Sequence, residues 1–184
     1  MTLDDDEARE LARRMASAHI MRIDEMPRIE LYLDQVLALV SQSLSFMALP
    51  GEELLTGSMV NNYVKQRVVP APQRRRYTRR HVATLIFVCS FKRVFSISQI
   101  RDLYQACVDR GVNVAATYDV LAGSLEDALA QRFGGSVPLS TPTVELTDAE
   151  GTPVAPDLAR VMEAGVEAVA DKVFVEQTLL LGRG

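Results

Sequence analysis

Ser58, Asn61, Asn62 and Lys65 recur at spacings that bring them together on one side of a helix. At 100° per residue they fall within an arc of about 100°, while Met59, Val60, Tyr63 and Val64 occupy the opposite side. Small amides, a hydroxyl and one ammonium on a face without any acid have the chemistry of a major-groove reader. Asn pairs bidentately with adenine, Ser donates to or accepts from either base, and Lys reaches guanine or a phosphate. A few residues later the chain reads Gln73-Arg74-Arg75-Arg76-Tyr77-Thr78-Arg79-Arg80. Arg74, Arg75 and Arg76 suit phosphate oxygens. Tyr77, Thr78, Arg79 and Arg80, at the start of the next helix, would add side-chain and backbone N–H contacts.

Other chemistries find little support. His19 and His81 are the only histidines, and His81, one turn into a helix beside Arg80, reads as a surface or phosphate-facing residue. Cys89 and Cys107 lie on apolar helix faces and read as buried, reduced thiols. Asp119, Glu126 and Asp127 share a helical stretch and read as solvated carboxylates. There is no His-Glu-x-x-His, no phosphate-binding glycine loop and no nucleophile–base pairing at a recognisable spacing. The expectation is no enzyme, no catalytic residue, no metal and no cofactor.

Charge placement supports the first reading. The 184 residues carry 20 Lys+Arg and 24 Asp+Glu, a net charge of −4 that by itself disfavours nucleic acid. From Leu54 to Arg101, however, there are ten basic residues and no acid, so the remainder carries a balance of −14. A basic block sits inside an acidic chain.

The elements that must position these residues are helical. An amino-terminal helix is expected from about Leu3 to Met21, and a second from Pro27, a favourable first-turn residue, to about Ser45. Thr56 caps a third, with Leu55 and Val60 as a hydrophobic staple, and Pro70 and Pro72 stop it. Thr78 opens a fourth helix, apolar on most sides and therefore central to the core. Ser96-Ile97-Ser98-Gln99 is a capping box that opens a fifth, ended by Gly111. A helical pattern from Ala115 to Phe133 is expected to break at Gly123-Ser124. The stretch 134–156 reads as an ordered loop or linker with a short hairpin near Val144–Gly151, and a last helix runs from Asp157 to about Leu181. This gives a helical arm (1–26), a DNA-binding domain (27–111) and a carboxy-terminal helical region (112–184). The apolar face of the last helix, with Leu158, Val161, Met162, Val166, Val169, Val173 and Phe174, either packs back on its own domain or forms a dimer interface or effector pocket.

The run Val60-Asn61-Asn62-Tyr63-Val64-Lys65-Gln66-Arg67-Val68-Val69-Pro70 resembles the recognition helix and exit of MerR-type winged helix-turn-helix regulators. Tyr77-Thr78-Arg79-Arg80-His81 and Phe95-Ser96-Ile97-Ser98-Gln99-Ile100 resemble the steps into their next two helices. From about Ile29 to Tyr104 the chain is also similar to an uncharacterised bacterial family, the domain of unknown function numbered 1836. The resemblance implies an all-α fold around a MerR-like winged helix-turn-helix. It departs in having Arg67 where those regulators have glycine, a wing of only a few residues, and no dimerisation coiled coil directly after Arg110.

The expectation that follows is a cytoplasmic DNA-binding transcriptional regulator, acting on double-stranded DNA as a homodimer, with no membrane contact and any small-molecule effector unspecified. The longest mostly apolar run, Val82 to Phe91, is too short to cross a bilayer. The alternatives are a protein-interaction module whose basic block is neutralised by its own acids, or an excisionase-like architectural DNA binder.

Overall fold

The computed structural model describes residues 5–135 and 141–182. Among them the protein is all-helical, with α1 (Asp5–Ala16), α2 (Leu33–Ser43), α3 (Gly57–Lys65), α4 (Arg79–Phe91), α5 (Ile97–Asp109), α6 (Val114–Gly134) and α7 (Pro156–Leu181). A single 3-10 turn, Ser45–Met47, follows α2. Pairing between extended segments is limited to isolated bridges.

α4 is the central element, as its apolar circumference predicts. Val82, Leu85, Val88 and Cys89 are fully enclosed, and α2, α5, α6 and α7 all pack against it. Cys89 and Cys107 are both buried, and burial pushes each thiol up to about 11. The capping box at α5 is present as written: Gln99 N–H donates to Ser96 Oγ and the Gln99 side chain accepts from Ser96 N–H at 2.9 Å.

Three expectations for the elements change. The second helix begins at Leu33 rather than near Pro27, because Leu31 exchanges both backbone hydrogen bonds with Tyr77, at 2.8 and 2.9 Å. That rung requires extended backbone, so the helix starts only after it, with Tyr32 as N-cap. The sixth helix runs unbroken through Gly123-Ser124. A Cβ at residue 123 would meet Arg22 Nη2 at 3.5 Å, an ordinary contact, so the glycine is neither a break nor a steric requirement in this helix. The first helix ends at Ala16, and its expected start at Leu3 lies outside the described residues.

The segment after α1 is instead bound to α6 by side chains. Glu126 accepts from Ile20 N–H and from Arg22 at 2.5 Å, and Asp119 accepts from Ile23 N–H at 2.9 Å. These two acids, expected to be solvated, are half-buried and cap amides that have no helix of their own. The amino-terminal arm is thereby part of the carboxy-terminal half, with α1 packed on α6 and α7.

α6 and α7 run parallel. Phe133 packs edge-on against Phe174 at 5.1 Å and Arg132 pairs with Asp171 at one end, while Thr117 and Met162 share a cavity wall at the other. A parallel pair needs a crossover, which 135–155 supplies; residues 136–140 of that expected linker lie outside the described residues. Val144 and Leu146 anchor it in the core, and Thr147 bridges Pro153 across a tight turn at Gly151. Of the apolar face of α7, Leu158, Met162, Val166, Val169 and Val173 are buried within the chain, which takes them out of any dimer interface. Val161, Val175 and Leu179 remain exposed.

Candidate nucleic-acid interface

α3 is held by what precedes and follows it. Thr56 Oγ1 accepts from Met59 N–H at 3.2 Å, and the staple residues Leu55 and Val60 are both buried. Val60 and Tyr63 point into the core, so Ser58, Asn61, Asn62 and Lys65 are left exposed together on the outer face. The helical-wheel division predicts this arrangement.

The exit of α3 is a Schellman turn made without glycine. Val68 N–H donates to Tyr63 O and Arg67 N–H to Val64 O, both at 3.0 Å, with Arg67 at φ 59°. Left-handed backbone costs an ordinary residue roughly 1–2 kcal/mol. An exposed arginine therefore occupies the place where the resemblance leads one to expect glycine, and it takes up the left-handed backbone itself.

The expected wing is a single tight turn. Gln73 and Arg76 form its closing bridge, with Arg76 N–H on Gln73 O at 2.8 Å. The two residues between, Arg74 and Arg75, have φ 49° and 62°, the double left-handed signature of a type I′ turn. Such turns favour Asn-Gly; here two arginines are held at the tip, both exposed. Behind the tip the Leu31–Tyr77 rung ties the turn to the entry of α2.

Not all of the predicted phosphate contacts face outward. Tyr77 is 4% exposed; its ring packs edge-on against His81 at 5.6 Å, and burial raises its pKa. Its role is to seat the turn, and its ring is removed from the contact surface. Arg76 lies over the Tyr32 ring at 3.6 Å and donates to its hydroxyl, so its guanidinium is already engaged. His81 is likewise buried rather than on the surface. Its Nδ1 accepts from Thr78 N–H at 3.0 Å, taking the place that Gln or Glu fills in most capping boxes. Burial lowers its pKa, partly opposed by the Ala71 backbone, and the nearby Arg80 lowers it further. Nε2 meets no hydrogen-bond geometry. Thr78 and Arg80 remain exposed and Arg79 half-exposed.

The basic block thus divides by environment. Arg93 is 6% exposed and bonded to Glu52 at 2.8 Å, Glu176 at 2.6 Å and Met47 O. Lys92 donates to Leu54 O, and Arg101 pairs with Asp102. Lys65, Arg67, Arg74, Arg75, Arg79 and Arg80 have no ion-pair partner among the described residues. Residue order alone gave no sign that Tyr32 would carry Arg76, which is 44 positions away. Arg67 was marked only by its departure from glycine.

Among the described residues no group of three or more His, Cys, Asp or Glu side chains could hold a metal ion, and no helix is long and apolar enough to cross a membrane. The sequence pattern of the domain of unknown function 1836 matches residues 21–121, more than half of the chain and wider than the 29–104 similarity read from motifs. No curated protein and no solved structure shows a significant match. The chain belongs to the domain-of-unknown-function family 1836.

Proposed function

We propose that this family member is a DNA-binding transcriptional regulator with a MerR-like reader. In this reading α3 enters the major groove, and the arginine turn rests on the sugar-phosphate backbone. The observation that carries the reading is an exposed face of Ser58, Asn61, Asn62 and Lys65, flanked by cations without acidic partners in a chain that holds 24 acids. Cations kept free of available carboxylates are suited to an anionic partner, and Arg74 and Arg75 keep them so at the expense of backbone strain. The internally neutralised interaction module fits Arg93 but not the six cations around α3 and the turn.

In this reading Arg67, Arg74, Arg75, Arg79 and Arg80 hold phosphates, while Arg76 is engaged by Tyr32. Neutralising about five phosphates per subunit implies a log–log salt slope of about −4 to −5. We further infer a homodimer on two half-sites, with the exposed Val161, Val175 and Leu179 on α7 as its apolar seam.

Selection of bound sequences from a random duplex library tests the reading. A palindromic motif supports a dimeric regulator, whereas a bent or direct-repeat motif favours the architectural role. The absence of any enriched sequence, together with no mobility shift at low salt, overturns it. Asn61→Ala and Asn62→Ala should each reduce discrimination by about 1–3 kcal/mol while leaving non-specific binding in place.

A further inference from the structure

Between α4, α5 and α6 lies a cavity of ≈ 60 Å³. Its walls are Phe87, Leu103, Cys107, Leu121 and Met162, and no carboxylate lines it. A space of this size has room for several waters, but water needs two to four polar partners and these walls offer few. The polar side chains that line it are Arg80, Thr84, Tyr104, Thr117 and Tyr118, and the Tyr118 hydroxyl already donates to the Met21 carbonyl at 2.6 Å. Thr84 is satisfied, donating to the Arg80 carbonyl at 2.8 Å. Thr117 is 6% exposed, and its hydroxyl has no hydrogen-bond partner. Arg80 is exposed and has no ion pair among the described residues. Val114 and Ala115, the first two residues of α6, also line the space and bring the positive end of a 21-residue helix to it.

We propose that this cavity is a binding site for a small, mostly apolar carboxylate, with its hydrocarbon among Phe87, Leu103 and Leu121 and its anionic end on Arg80. An apolar space with one unpaired cation at its rim, a helix amino terminus and no opposing acid selects for that charge and shape. Arg80 is also placed for a DNA phosphate. Resting on the DNA-binding reading, the coupling is negative: bound carboxylate weakens DNA affinity, and by reciprocity DNA weakens carboxylate binding.

The test uses the full chain with propionate and butyrate as probes, matched to the ≈ 60 Å³ space, and 1-propanol and 1-butanol as neutral counterparts, in a calorimetric titration. The carboxylates should bind saturably and about tenfold more tightly than the alcohols, and Arg80→Gln should abolish that preference at unchanged thermal stability. Ala115→Phe, entering from the rim, should block both classes. Independently of any variant, butyrate should slow the reaction of Cys107 with a thiol reagent and leave Cys89, which does not line the cavity, unaffected. Equal binding of alcohols and carboxylates, an unchanged preference in Arg80→Gln, or no saturable binding overturns the proposal. In a mobility-shift assay, butyrate should release DNA from the wild-type protein and not from Ala115→Phe, which keeps Arg80 and blocks the cavity. If carboxylates bind but DNA never does, the site stands and the DNA-binding reading falls.

Discussion

Arginine is used in two opposite ways in the two halves of this molecule. Where α1, α6 and α7 pack on one another and on α4, three arginines are largely covered and paired: Arg22 with Glu126, Arg93 with Glu52 and Glu176, Arg132 with Asp171. Around α3 and the turn that follows, arginines of the same chemistry face solvent without a carboxylate, and three of them hold left-handed backbone. The first group converts charge into long-range cross-links between segments up to 104 residues apart. The second leaves its charge open to solvent. A uniform net charge conceals this division, because pairing rather than number decides whether a cation is available.

The comparison breaks first at Arg93. Arg93→Ala removes the buried centre of a cluster, leaving Glu52 without its cation while Glu176 keeps Lys172, and should cost about 3 kcal/mol in urea unfolding. A change within the error of the measurement would mean that the paired group is not structural. Glu126→Ala should come next, at about 2 kcal/mol, since it leaves Arg22 unpaired and the Ile20 amide without its acceptor.

The turn should respond with opposite signs in two assays. Arg74→Asn with Arg75→Gly supplies the residues that a type I′ turn favours, so stability should rise by about 0.5–1 kcal/mol. The same pair of changes should lower DNA affinity and make the salt slope shallower by about 2. A variant both more stable and equally tight in binding would show that the two arginines are not held for a phosphate backbone.

The smallest effect is in pH. For Glu52, burial alone would raise the pKa, but the Leu49 amide and Arg93 outweigh it and hold the carboxyl below its ordinary value. Its contribution is therefore complete above the unfolded carboxylate range and lost as pH falls through the lower folded value. His81, with a lowered pKa, contributes fully above its unfolded value, and this is lost as pH falls below about 6.5. Stability measured from neutral to acid pH should fall in these two windows, with the upper one absent in His81→Gln and the lower one reduced in Glu52→Gln.

The parts legible in the sequence are those whose cause lies within a few residues. The Thr56 cap, the Ser96–Gln99 box, the outer face of α3 and the enclosure of α4 all follow from spacing and local hydrogen bonding. What misled were local signals overruled from a distance. Pro27 is a good helix start, but Leu31 is claimed by Tyr77; Gly123 is a helix breaker, but α6 is held on both sides of it by the packing of Leu121, Ala122 and Leu125 in the core. Tyr77 and Arg76 sit in a basic run, and only the fold shows that one is buried and the other lies on Tyr32. Asp119 and Glu126 had no sequence neighbour to pair with, because their partners are about a hundred residues upstream.

The stack of Arg76 on Tyr32 has an optical consequence. The chain has no tryptophan and only five tyrosines, of which Tyr63, Tyr77 and Tyr118 are buried. Tyr32 is 52% exposed and the one with a guanidinium over its ring. Emission excited in the tyrosine band is thus unobscured by indole, and it contains a signal from the base of the turn. Any ligand that draws Arg76 off that ring changes the signal, so the native protein carries its own reporter for engagement of the arginine turn.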